Sequence, residues 1–354
     1  MTAEQSILAA LGVATPIFQA PMAGVSTPEM AAAVTNAGGL GALGLGAVGV
    51  AGARAQIRQT RALTGGAFAV NLFCHAPAVR DAARERAWLA RLAPEFHRFA
   101  AEPPGDLSEI YQSFQTDRAM FEMLLEECPP VVSFHFGLPE RQKVEALQAR
   151  GIVLLASATD PAEARAVAAL GFDAVIAQGW EAGGHRGCFD PAAQDQQLGV
   201  LPLVRLIRRA VDLPCIAAGG IMDGAGIAAA LALGATAAQL GTAFVACPES
   251  AADDAYRTAL AEAGARGTEM TRAISGRPAR CLGNAFVAWG RSVPAEAVPA
   301  YPVCYDAGKA LNAAAKALGA GGYGAQWAGQ GAALARAMPA ADLVVTLSHE
   351  LAAA

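Results

Sequence analysis

Residues 17–46 read IFQAPMAGVSTPEMAAAVTNAGGLGALGLG. Two short apolar runs, Ile17–Met22 and Leu40–Leu45, flank a stretch of helical character. That stretch, Thr27–Ala37, opens on Thr27-Pro28-Glu29: a hydroxyl to cap the first N–H groups, a proline suited to the first turn, and an acid that complements the helix dipole. Gly38 follows, where a helix can end through left-handed backbone. The flanking runs are continuously apolar and do not alternate, as expected of strands buried on both faces in a parallel sheet.

The same unit recurs along the chain. Further strand candidates are Phe68–Phe73, Val131–Phe136, Val153–Ser157, Ala174–Gln178, Cys215–Gly219 and Ala238–Phe244. Asp160–Leu170 opens on Asp-Pro-Ala-Glu, a second capped helix, and Gly151 and Gly171 close others. Eight strands alternating with helices predict an α/β fold, a TIM (β/α)8 barrel. An open doubly wound sheet is the competing arrangement, because strand count alone does not show closure.

Composition narrows the function classes. The chain has 354 residues, a net charge of -5 and only 16% charged residues, against about 25% in ordinary soluble domains. It is 54% hydrophobic but only 6% aromatic, with 38 Gly, so much of its interior is packed by small side chains. High apolar content argues against disorder, and the absence of a basic run argues against nucleic-acid binding. Two uncharged stretches, Met30–Ala53 and Gly224–Pro248, are long enough to span a bilayer, but repeated glycines cut both, and they read as buried strand–helix–strand segments. The N-terminal MTAEQSILAALGV has an acid at Glu4 and no basic n-region, so no secretory signal is expected. Seven scattered cysteines without a CxxC pair predict reduced thiols in a cytoplasmic protein with no metal site.

Two regions break the rhythm. Pro77–Cys128 is too long for one strand–helix connection, and the pattern changes again after about Glu249. Residues 1–76 and 129–250 are therefore assigned to the barrel. Residues 77–128 and 251–354 are expected to pack together as a smaller, mainly helical unit beside its mouth.

Barrel enzymes carry their sites at the C-terminal ends of the strands. Gln19–Gly24 ends the first strand, although a plain turn is the simpler reading of it alone. Asn71, in an apolar strand, is equally a satisfied structural amide or a ligand contact. The stretch Ala177–Gly187, AQGWEAGGHRG, places His185 on a glycine-rich loop after the sixth strand, with Gln178 at the strand end and Gly183, Gly184 and Gly187 allowing close backbone approach to a ligand. A histidine there is suited to base chemistry near neutral pH. Ala217–Asp223 and Gln239–Phe244 follow the seventh strand and cover the eighth, where barrels often hold phosphate through backbone N–H groups, here with Thr242. Arg277 and Arg280 either bind an anion or pair with carboxylates, and the second reading is the simpler. Tyr301-Pro-Val-Cys-Tyr305 reads as an ordered strand or turn near the mouth.

Taken in order, QAPMAGVSTPEMAAAVTNAGGLGAL, AVNLF, AQGWEAGGHRG, AAGGIMD, QLGTAF, ISGRPAR and GYGAQWAGQG resemble the nitronate monooxygenases, most closely class I. The resemblance runs from about Pro16 to Gln330. It implies a barrel that binds FMN non-covalently, with flavin contacts at Met22, Asn71, Gln178 and Gly183. Gly220, Gln239, Leu240, Gly241 and Thr242 would complete the phosphate end. It implies His185 as the active-site histidine, and Tyr301, Tyr305 and Lys309 as substrate-side residues. The implied reaction oxidises alkyl nitronates such as propionate 3-nitronate with O2, giving a carbonyl compound and nitrite, in a monomer or homodimer. The alternative is an NAD(P)H-dependent flavin reductase of quinones or enoyl-thioesters on the same barrel. A barrel isomerase or aldolase without flavin would need a strand-end lysine or paired acids, and the only lysines are Lys143, Lys309 and Lys316.

Overall fold

The structure, a computed structural model, describes residues 3–354; Met1 and Thr2 of the N-terminal stretch lie outside them. Eight strands form one parallel sheet: β1 Ile17–Gln19, β2 Gly41–Gly44, β3 Phe68–Phe73, β4 Val131–His135, β5 Val153–Ala158, β6 Ala174–Gln178, β7 Cys215–Ala218 and β8 Ala237–Leu240. Each pairs with the next in sequence from β2 to β8, and β8 pairs with β1. Gln19 N–H donates to the Leu40 carbonyl at 2.9 Å and Leu40 N–H to the Ile17 carbonyl at 2.9 Å, which joins β1 to the entry of β2 and closes the ring. The fold is the expected TIM barrel, not the open sheet.

Strand alternation explains the continuous apolar runs. Ile17, Val70, Val132, Leu154, Val175, Cys215 and Ala238 face the helices in the main core. Phe18, Ala69, Val131, Leu155, Ile176, Ile216 and Ala237 face the barrel axis in a separate cluster. With both faces dry, period-two alternation of polarity disappears. The helix Pro28–Asn36 is capped as read, with Thr27 accepting from Met30 N–H, and Asp160 likewise caps Pro161–Ala169. The glycine run before β2 has a packing cause: a Cβ on Gly41 would lie 1.9 Å from the Ala31 carbonyl, so this helix rests directly on the strand backbone.

Three readings change. The eighth strand stops at Leu240, and Thr242–Val245 forms a short helix instead of extending it. Tyr301–Tyr305 is not a strand: from Val303 it is the first turn of a helix, Val303–Ala317, whose Val303, Ala307 and Leu311 bury one face at helical spacing. Met30–Ala53 spans helix, strand and helix, and no helix among the described residues is long and apolar enough to cross a membrane.

Helix Ala82–His97 packs with Val303–Ala317 in a second cluster around Trp88, Leu92, Phe96, Phe286 and Leu311. Helices Arg118–Glu127 and Ala340–Ala353 instead bury Met123, Leu124, Leu343 and Leu347 in the barrel core. Within the stretches 77–128 and 251–354, packing therefore divides between the barrel core and separate clusters beside it.

Candidate active site

The alternation that seals the barrel also builds its mouth. Continuing the inward-facing positions to the strand ends gives Asn71, Ser133 and His135, Ser157, Gln178 and Gln239. Of these, Asn71, His135, Ser157, Gln178 and Gln239 line a cavity of about 430 Å³, a size typical of small-molecule sites. Met22, Gly183, His185, Gly220, Gly241, Thr242, Tyr301, Tyr305 and Lys309 line it too. Leu240 does not: its side chain faces the helices in the main core, one position out of phase with Gln239.

Several strand-end groups are already engaged. Asn71 Nδ2 donates to Ser133 Oγ at 2.9 Å and to the Ser133 carbonyl at 3.2 Å, leaving its Oδ1 without a partner among the described residues. Gln178 ties its own loop: Nε2 donates to the His185 carbonyl at 3.0 Å, and Oε1 accepts from Gly187 N–H at 2.7 Å.

His185 is not on a barrel strand. Gly184 and His185 pair antiparallel with Ala279 and Arg280 of strand Ala279–Leu282, which in turn pairs with Thr268–Thr271. This small sheet draws the loop across the mouth. The glycines serve that packing and not only a ligand. A Cβ on Gly183 would meet Gly329 N at 2.5 Å, and one on Gly187 would meet His135 Cε1 at 2.6 Å. The segment Gly322–Gly331 crosses over the loop, with Gln330 N–H on the Glu181 carbonyl at 2.9 Å and Gly329 N–H on Thr242 Oγ1 at 3.0 Å.

The hydrogen bonds set the imidazole states. His135 Nε2 lies 3.2 Å from the His185 carbonyl and must be the protonated nitrogen, so Nδ1 accepts from Ser157 Oγ at 2.8 Å. His185 Nε2 is 2.9 Å from Ser275 Oγ, and Ser275 can donate to the Arg277 carbonyl at 3.2 Å. Ser275 therefore either accepts from Nε2–H or turns its own hydrogen to Nε2. Nδ1 is correspondingly a lone pair or a donor.

Burial first, then the charges of His135, Arg277 and His75, pushes His185 down to about 3. Burial likewise takes His135 to about 4, against the opposing hydrogen bond to the His185 carbonyl. Both imidazoles are neutral at pH 7. The sign for stability follows: the unfolded histidines bind protons near pH 6.5 and the folded ones do not, so stability is full above that pH and is lost as pH falls toward 4. Each of these two histidines contributes a slope of up to about 1.4 kcal/mol per pH unit in that window. A His135→Asn variant should show a shallower fall in Tm between pH 6.5 and 4 than the parent; an unchanged slope would remove His135 from this account.

Sequence reading passed over His75, Tyr111, His135, Phe136, Tyr256 and Trp327. One signal was available: the chain has only 5 Tyr, and Tyr111, Tyr256, Tyr301 and Tyr305 all line the cavity. The imidazole of His185 sits among aromatic rings, 5.0 Å from Trp327, 5.4 Å from Tyr301 and 5.6 Å from Phe136 between centroids. Among the described residues, neither arginine of the SGRPAR segment pairs with a carboxylate. Arg280 donates to the Trp180 carbonyl at 2.9 Å and Arg277 to that of Cys188. Among the described residues no Asp or Glu lines the cavity, and Lys309 reaches over the Tyr111 and Tyr305 rings at 5.0 and 5.7 Å.

Comparison with known proteins agrees with this geometry. The family model described as nitronate monooxygenase matches residues 5–350. A nitronate monooxygenase of Paraburkholderia phytofirmans is 59% identical over 99% of this chain and 96% of its own length. One from Pseudomonas aeruginosa is 57% identical over 96% of this chain and 97% of its own. A solved nitroalkane oxidase structure from Streptomyces ansochromogenes superposes with a TM-score of 0.89 at 43% identity, covering 98% of both chains.

Proposed function

From the premise that this chain belongs to the nitronate monooxygenase family of oxidoreductases, we propose that it uses FMN and O2 to oxidise alkyl nitronates such as propionate 3-nitronate to a carbonyl compound and nitrite. The observation that carries the reading is the charge of the cavity. Among the described residues its wall has no carboxylate, one lysine and two neutral histidines, in a chain of net charge -5. Such a wall favours anions, both a flavin phosphate and a nitronate.

The residues present fit a flavin. Met22, Asn71, Gln178 and Gly183 are proposed to hold the ring system. The phosphate end falls to Gly220, Gln239, Gly241 and Thr242, with Leu240 offering only its backbone. Gly219 and Gly220 take φ of +124° and +71°, a conformation open to glycine, and the helix from Thr242 has no side-chain cap on its first N–H groups. A Cβ on Gly220 would lie 3.0 Å from Glu181 Cβ. Gly220→Leu, strained in φ and crowded, should purify with less than half the parent's flavin absorbance; full retention would count against this cradle.

Bound FMN supplies the electron acceptor for the nitronate and the partner for O2, while the protein orients substrate and shields the site. The chain's own residues do the rest. Tyr301, Tyr305 and Lys309 are proposed to meet the substrate's polar end. With Ser275 donating to Nε2, His185 presents Nδ1–H to the nitro group of a nitronate. With Ser275 accepting from Nε2–H, Nδ1 can take the α-proton of a neutral nitroalkane. Burial disfavours an imidazolium until negative charge forms beside it, which couples that proton transfer to appearance of the nitronate.

The smaller core around Trp88 and Leu311 is proposed to act as the cap over this site. A cytoplasmic setting suits the seven free cysteines. The deciding experiment is spectroscopic and anaerobic. Nitronate should change the spectrum of the purified yellow protein, with nitrite released in air. Rapid bleaching by NADH without nitronate turnover would favour the flavin reductase instead.

A further inference from the structure

Behind the cavity wall lies a charge that the proposed reaction does not use. Arg277 is 3% exposed and carries a guanidinium that remains cationic in proteins. It has no ion pair within 4 Å among the described residues. One Nη donates to the Cys188 carbonyl, and its buried Nε has no hydrogen-bond partner among the described residues. The carboxylate whose charge reaches it, Glu163, spends its oxygens on Thr159 N–H and Oγ1 and on Phe189 N–H. The guanidinium lies 4.4 Å from the centroid of Phe136, and Phe136 itself lines the cavity beside His185 and Tyr301. A cation without an ion pair is thus held one aromatic ring behind the site.

We propose that Arg277 is a specificity-determining positioning residue, whose buried charge, held without an ion pair, selects the anionic nitronate over its neutral nitroalkane. The inference rests on the nitronate reading above. Arg277 does not contact the substrate; it acts by its field through a dry wall, where a unit charge is poorly screened. Charge bookkeeping separates the two substrate forms. A nitronate brings a net negative charge toward Arg277 and gains from it. A neutral nitroalkane gives its proton to His185 inside the cavity. The new anion is then stabilised and the new imidazolium destabilised, so the two effects cancel to first order.

The test compares Arg277→Met, which removes the charge, with Arg277→Lys, which keeps it. The ratio of kcat/KM for ethylnitronate over nitroethane should fall about tenfold in Arg277→Met, the order expected of a unit charge across such a wall, and return to within about threefold of the parent in Arg277→Lys. A second readout needs no turnover: calorimetric Kd values for propionate and for its neutral isostere propionamide. Their ratio should move in parallel. A structural role alone would weaken both ligands together, so an unchanged ratio in Arg277→Met overturns the proposal. Should that variant not fold, Lys309→Met serves with Arg277 intact: propionate should still bind more tightly than propionamide, and equal binding overturns the proposal. Absence of nitrite from any nitronate would defeat the functional reading, while the two ligand affinities would still decide the role of Arg277.

Discussion

Replacing His185 with asparagine lowers turnover of neutral nitroalkanes by at least about a hundredfold, in the range of a lost general base, and lowers nitronate turnover much less. Asparagine keeps a hydrogen-bond donor near the nitro group but cannot accept a proton. The loop that carries residue 185 is held independently of the imidazole. Its carbonyl accepts from Gln178 and His135, and its backbone pairs with Ala279, so the variant should keep its cavity. The low proton affinity of the folded imidazole adds a second expectation. Nitroalkane turnover should show no titration of His185 near pH 6.5, because burial holds it at about 3. Steady-state nitrite release from nitroethane and ethylnitronate, across pH 5 to 9, measures both. Equal losses on the two substrates would assign His185 to binding alone.

Gly183→Val should cost the protein the proposed flavin and destabilise it by about 3 kcal/mol or more, at the upper end of overpacking costs. The added Cβ would stand 2.5 Å from Gly329 N, 2.6 Å from Ala328 C and 2.8 Å from Ala328 Cα. All three are backbone atoms and cannot swing aside as a side chain would. Moving Gly329 also breaks its hydrogen bond to Thr242 Oγ1 and strains that of Gln330 to Glu181. One substitution therefore parts the crossing segment from the loop and from the proposed phosphate end. Gly105→Ala is the control, since nothing lies within 4 Å of its added Cβ and its φ is ordinary. Chemical denaturation and the flavin-to-protein absorbance ratio report the two losses. A Gly183→Val protein with parental stability and colour would show that the crossing segment is free to move.

How much of this was legible without coordinates differs from element to element. Thr27 and Asp160 announce their helices because capping is a local bargain between a side chain and the next three residues. Gln178 and His185 stand out because a polar group among glycines at a strand end has no packing reason to be there. Tyr301–Tyr305 misled because five residues do not reveal a helical period, whereas the full span to Ala317 does. That the side chain of Leu240 turns to the core while that of Gln239 lines the mouth was not legible for a related reason: adjacent strand residues face opposite sides, and only closure of the barrel tells which side is the mouth.

The amino-acid order alone determined the repeating unit, the dry faces of the strands and the loop that carries His185. Those properties arise from short-range sterics and from burial, both written in consecutive residues. Only the tertiary structure decided what surrounds that histidine. The small sheet from 268–282, the crossing segment from 322–331 and the aromatic wall with Arg277 behind it come from distant parts of the chain. Their effect on His185 is burial first and then charge, and both depend on distance through a dry interior. No local pattern encodes that distance. A chain that seemed merely poor in charge thus turns out, among its described residues, to keep carboxylates out of the cavity wall at the barrel mouth and to leave a cation buried beside it.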